Sequence, residues 1–249
     1  MRDVLLSKNV IRGAIGLMTV SLLLGYGVSG VAPAFAESLD VAWEKASTRS
    51  DDGFEWTVYV EAEQTPGRPA FRVDAQLEAP PAVAARTLMA SMSEEGATTS
   101  GETRKLLERT PNGALVHTFI DLPFMFADRE LAVRIDHRRD AETGIHRVLW
   151  RDENENLPEP AEDVLRLASE GYWEFRPAPS GGTEAIYVSR AEVGGSLPTA
   201  VGDRLMKGQA VEAVQRLHRL IAERDTSADL VGVAAPPPSS AREVDSSAE

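Results

Sequence analysis

Tyr187-Val188-Ser189-Arg190-Ala191-Glu192-Val193-Gly194-Gly195-Ser196-Leu197-Pro198-Thr199 opens the passage, ending near Ile221, whose reading decides the fold. Its first six residues alternate as a strand does. The chain then turns through Gly194-Gly195-Ser196-Leu197-Pro198. Beyond the turn, Val201, Leu205, Val211, Val214, Leu217 and Ile221 recur at the three-to-four spacing of one helical face. Ser196 has the chemistry of an N-cap, and Pro198 suits the first helical turn, where its missing N–H costs nothing. A helix over Pro198–Arg224 spans roughly 40 Å at ~1.5 Å per residue. That is long enough to cover a whole sheet.

The two ends of the chain read differently. Arg2, Lys8 and Arg12 precede an uncharged apolar run over Ala14–Ala32, and Ala34-Phe35-Ala36 follows with small residues two apart. This order is that of a secretory signal peptide cleaved after Ala36, and it implies a periplasmic or secreted protein. An uncleaved anchor is the competing reading, but the run is interrupted by Gly16, Gly25, Gly27, Ser29 and Gly30. From Thr226 the chain is rich in Ala, Ser, Pro and Val, including Pro236-Pro237-Pro238. That composition predicts a disordered tail over 226–249. Residues 37–225 are then one domain, long enough to bury a sizeable core.

The net charge is −13, and removing residues 1–36, which carry +2, takes it to −15. So acidic a chain is a poor match for a phosphate backbone, so no nucleic-acid partner is expected. It contains no cysteine. Disulfides, thiol nucleophiles and thiolate metal sites are therefore excluded, and stability must come from the core.

Between the ends, the pattern predicts a short helix over Ser38–Ala46, then strands at Phe54–Ala62 and Phe71–Leu77. In the second strand Phe71, Val73, Ala75 and Leu77 alternate with Arg72, Asp74 and Gln76, the mark of an antiparallel sheet wetted on one side. Pro80-Pro81 opens a helix over Ala82–Met92. Further strands are predicted at Thr103–Arg109, Ala114–Leu122, Arg129–Arg138, Ile145–Asp152 and Gly171–Arg176, with Asn112-Gly113 and Thr143-Gly144 as hairpin turns. Glu153–Ala161 reads as an acidic loop, followed by a helical turn at Val164–Ala168. Segregated strands and helices argue an α+β fold, a curved antiparallel sheet gripping the long C-terminal helix. Ala200, Gly202, Gly208, Ala210 and Ala213 on that helix either draw it close to the sheet or leave a cavity.

Three segments resemble the START (StAR-related lipid transfer) domain family of the helix-grip, Bet v 1-like superfamily. Val193-Gly194-Gly195-Ser196-Leu197-Pro198-Thr199 resembles its strand-to-helix junction. Leu122-Pro123-Phe124-Met125-Phe126-Ala127-Asp128-Arg129-Glu130, running on to Val133-Arg134, resembles its Asp-Arg-Asp/Glu turn and following strand. Asp52-Gly53-Phe54 stands where the family's first strand starts. The order agrees over about residues 38–224. The junction departs from the family in Val193, where Asp is usual, and in Thr199-Ala200-Val201, where Trp follows the proline. The resemblance implies an interior apolar tunnel holding one lipid or similar hydrophobic molecule, transient membrane contact, and no cofactor.

The candidate cavity-lining residues are His117, Phe119, Arg134, Trp150, Trp173, Tyr187, Leu205 and Met206. His117, between Val116 and Phe119 in an apolar strand, is expected to point inward as a polar group in a greasy site. Strict alternation puts Arg134 on the polar face, and a headgroup role would need the opposite orientation. Asp128 and Arg129 are expected to help close the fold. The histidines have no metal-ligand spacing, and no phosphate loop, nucleophile elbow or paired acid is visible, so no catalytic residue and no metal are expected. Two other readings stay open: an enzyme on the same scaffold acting on a hydrophobic or aromatic substrate, with His117 in its site, and a filled-core domain acting through protein contacts.

Overall fold

The computed structural model describes Leu39 and residues 41–97, 102–122, 127–179, 181–192, 194–195 and 199–232. Its strands are β1 (Trp43–Asp51), β2 (Phe54–Glu61), β3 (Ala70–Leu77), β4 (Gly96–Ala97), β5 (Glu102–Thr110), β6 (Gly113–Ile120), β7 (Asp128–Arg139), β8 (His146–Asp152), β9 (Val164–Arg166), β10 (Ser169–Pro177) and β11 (Thr183–Ala191). Two α-helices complete it, α1 (Pro81–Met92) and α2 (Thr199–Gly232), with a 3-10 turn at Asn154–Asn156. Ten strands form one antiparallel sheet in the order β1-β2-β3-β11-β10-β8-β7-β6-β5-β4, and β9 pairs in parallel with the start of β7. This is the expected α+β arrangement of a large antiparallel sheet packed on a long C-terminal helix.

Alternation explains most of the strands. Trp56 and Val58 of β2, and Phe71, Val73, Ala75 and Leu77 of β3, point into one core with Val116, Ile135, Val148, Trp173 and Phe175. From α2, Ala210, Val214, Leu217 and Ile221 enter that core, all nearly inaccessible. Their spacing of four, three and four is one helical stripe. His218 beside them stacks on Phe54 at 4.0 Å between ring centroids, so it is a packing residue. The helix rests on β3 and β11, while α1 covers β8 and β10.

Four expectations need correction. The helix predicted over Ser38–Ala46 gives way to β1, which pairs with β2 from Trp43↔Glu61 to Asp51↔Phe54 across the Asp52-Gly53 turn. A tight hairpin beside a strong strand outweighs weak local preference in a mostly exposed edge strand. The helical turn predicted at Val164–Ala168 contains β9 instead, placed by pairing with Asp128–Glu130. Helix α2 continues past Thr226 to Gly232, where a tail was expected; no proline falls before Pro236 to stop it. Finally, Val201 and Leu205 are 50% and 46% exposed, so the apolar stripe of α2 enters the core only from Met206 onward. The predicted signal peptide over 1–36, Ser196, Pro198 and residues 233–249 lie outside the described residues.

Candidate functional site

Sheet register sorts the candidate residues by face. Val116 on β6 opposes Val133 on β7, and Ala114 opposes Ile135; all four belong to the core facing α2. His117 and Phe119 alternate with them and so project from the outer face. His117 Nε2 lies 3.0 Å from Glu130 Oε2, and Arg166 Nη2 donates to Glu130 Oε1 at 2.6 Å. Burial opposes the charge on Glu130, yet the hydrogen bonds from Arg166 and His117 hold its carboxyl below the usual range. The inward placement expected of His117 and Phe119 is thus overturned by one residue of strand parity. Arg134 shares the outer face. Its Nε and Nη2 donate to Glu153 Oε2 at 3.2 and 3.0 Å, and Nη2 also donates to Glu108 Oε2 at 3.0 Å. The Arg134 hydrogen bond is the main reason the Glu153 carboxyl titrates lower than usual. Arg134 is an outer-face clamp, and its headgroup role is set aside.

The outer clamp has a centre that sequence reading missed. Where β8 leaves β7, Asn154 fills its place: Oδ1 accepts from Ala132 N at 2.9 Å and Nδ2 donates to Leu167 O at 2.7 Å. Glu153 N donates to Ala132 O and Leu167 N to Glu130 O, both at 2.9 Å. The loop from Glu153 to Leu167 is therefore sewn to β7.

On the helix-facing side, three aromatic candidates do come together. Trp173 and Tyr187 are direct cross-strand partners on β10 and β11, with ring centroids 4.8 Å apart. Trp150 stacks on Tyr187 at 5.6 Å and donates its Nε1–H to Ser169 Oγ at 3.2 Å. Gly171, opposite Trp150 in the register, makes this possible. A Cβ there would lie 2.1 Å from the Trp150 ring. Burial pushes the Tyr187 phenol up, while a hydrogen bond with Ser189 works the other way.

The margin of the core includes side chains that are only partly covered. Tyr187, Leu131, Leu106 and Met206 are half-buried at its border. Leu106 shares its strand face with Arg104 and Glu102 (β5 pairs Arg104↔Thr118 and Glu102↔Ile120), so two charges stand at the edge of an apolar surface. Arg104 Nη2 donates to Glu102 Oε2 at 2.7 Å and Nη1 to the Ser91 carbonyl at 3.1 Å. Glu102 lies near enough to act on the Tyr187 phenol. This pair also escaped sequence reading. Its signal was present: charges in phase with an inward leucine.

The turn entering α2 is held from below. Arg129 is buried and directs its guanidinium at the carbonyls of Ala127, Asp128 and Gly194, the last at 3.5 Å. Asp128 accepts from Leu122 N at 3.0 Å. The fold-closing part expected of Asp128 and Arg129 is what these bonds perform. Gly194 and Gly195 have φ of +59° and +74°, which favours glycine, and a Cβ on Gly195 would meet Leu165 at 2.8 Å.

A large antiparallel sheet packed on a long C-terminal helix defines the helix-grip class. Within that class the chain has a START-like fold. No protein-family model matches the chain, and no curated sequence does. Among solved structures it is similar to human StAR-related lipid transfer protein 5, with a TM-score of 0.61 at 14% identity over 77% of this chain and 95% of that one. It is similar to human STARD10, with a TM-score of 0.60 at 13% identity over 82% and 87%. A STAR-related lipid transfer protein from Xanthomonas axonopodis gives 0.58 at 17% identity over 72% and 98%.

Proposed function

We propose that this protein binds one lipid or similar hydrophobic molecule between its sheet and the N-terminal half of α2, and passes it to or takes it from a membrane. The observation that carries the reading is the incomplete cover of the helix-facing surface. Helix α2 packs tightly from Ala210 to Ile221 but leaves Val201 and Leu205 in solvent, while Met206, Tyr187, Leu131 and Leu106 at the margin of the core are half-buried. Burying apolar ligand area there contributes roughly 25 cal/mol per Å² before ordering costs. Glu102 and Arg104 supply the few polar contacts such sites place around a ligand's polar end. The START-like fold, shared with proteins named for lipid transfer, supports the same reading.

Opening belongs to the Gly194-Gly195 turn rather than to the loop at Asn154–Pro160, which Asn154 ties to β7. Action is assigned to the periplasm or cell exterior, on the signal-type sequence of residues 1–36. Catalysis through His117 loses its residue, because that imidazole faces Glu130 on the other side of the sheet.

The test is the intact mass of detergent-free protein under native conditions, followed by solvent extraction. A bound mass of a few hundred daltons that extracts as lipid is expected. A clean unliganded mass, with no uptake from lipid vesicles, would overturn the proposal.

A further inference from the structure

A cleft of about 240 Å³ lies between α1 and the β5–β6 turn. Arg86, Ser93, Arg109, Asn112 and His137 line it; among the described residues no carboxylate does, with Asp136 beside the lining Gly113. His137 Nε2 is 2.9 Å from Nδ1 of buried His146, and the two rings stack at 5.1 Å. Arg86 from α1 and Arg139 from β7 are close enough to act on His146. Among the described residues, Arg86 and Arg109 make no ion pair with a carboxylate. Nine other arginines do, namely Arg68, Arg72, Arg104, Arg134, Arg147, Arg151, Arg166, Arg176 and Arg190. In a protein of net charge −13, this local excess of positive charge runs against the composition.

We infer that the cleft bounded by Arg86, Arg109 and the His137–His146 pair is a binding site for a small oxyanion, a phosphate or carboxylate group. Guanidinium forks match such oxygens, and Asn112 and Ser93 add neutral donors. A divalent cation on the imidazoles is disfavoured by the neighbouring guanidinium charges, and no group of three or more His, Asp or Glu among the described residues could hold a metal ion.

Burial lowers the pKa of both imidazoles, and for His146 the charges of His137, Arg139 and Arg86 lower it further. A bound anion offsets those charges and favours the protonated ring. Inorganic phosphate at constant ionic strength should therefore move the His137 and His146 C2–H titrations to higher pH and raise the melting temperature. The R86Q/R109Q variant should bind phosphate at least about tenfold more weakly, while melting as the parent does without phosphate. Vesicles containing phosphatidylglycerol against phosphatidylcholine alone separate a headgroup from a free anion: vesicle binding lost in R86Q/R109Q assigns the site to a headgroup, and phosphate binding alone assigns it to a soluble anion. No histidine shift at 50 mM phosphate in roughly the neutral range, or a shift unchanged in R86Q/R109Q, would overturn the inference.

Discussion

At the scale of single residues, close approach decides more than chemistry does. Gly171 is a glycine because the Trp150 ring and the Val188 carbonyl, 2.1 and 2.4 Å from where a Cβ would sit, occupy its side-chain space. Gly171→Ala should cost about 1–3 kcal/mol by overpacking and displace Trp150 from Tyr187. Urea unfolding and a changed tryptophan emission would register both. His137 and His146 set a pH dependence. Their folded pKa values lie below the ordinary 6.5, so the stability they contribute is present above 6.5 and is lost as pH falls through that value and below it. The melting temperature should drop between about pH 7.5 and 5.5, and His137→Asn should flatten the drop. An equal drop in the variant would assign it to other groups.

Among the elements, two junctions carry predictions. Asn154 replaces a missing stretch of ladder beside β7, and Asn154→Ala leaves the Ala132 N–H and the Leu167 carbonyl without partners. A loss of about 1–3 kcal/mol is expected, with faster hydrogen exchange at Ala132 and through β9. Among the described residues Arg129 bonds the carbonyls of Ala127, Asp128 and Gly194, so Arg129→Met should loosen the approach to α2. Faster exchange of a bound fluorescent lipid with vesicles is the expected outcome, and unaltered exchange would place the moving part elsewhere.

For the whole molecule, the division of labour between the two helices matters most. Helix α1 covers β8 and β10, α2 covers β3 and β11, and Leu106, Leu131 and Met206 at the margin of the core are half-buried. Met206→Trp should fill that space. Lipid uptake falling about tenfold, near 1.4 kcal/mol, with the melting temperature kept, would locate the ligand there. Uptake equal to that of the parent would exclude this region. The ionic networks gather on the outer face, where Arg134, Glu153, Glu108, His117, Glu130 and Arg166 brace the sheet from behind.

The sequence by itself determined the class of fold. Strict alternation in Phe71–Leu77 and its neighbours marks strands wetted on one side, and the stripe from Ala210 to Ile221 marks a helix that must be covered, so a sheet packed on a long helix follows from periodicity. It also named Trp150, Trp173 and Tyr187 as inward aromatics, and these three do face the helix, whereas Phe119, chosen on the same grounds, does not. Tertiary structure alone decided which way His117 and Phe119 point, because parity depends on register, and register depends on partners far along the chain. The same holds for β1 and β9, whose local preferences are weak and whose pairing is not. The meeting of His137 with His146, and of Glu102 with Tyr187, was likewise beyond local reading: each pair is joined across strands, by contacts that exist only once the sheet has closed.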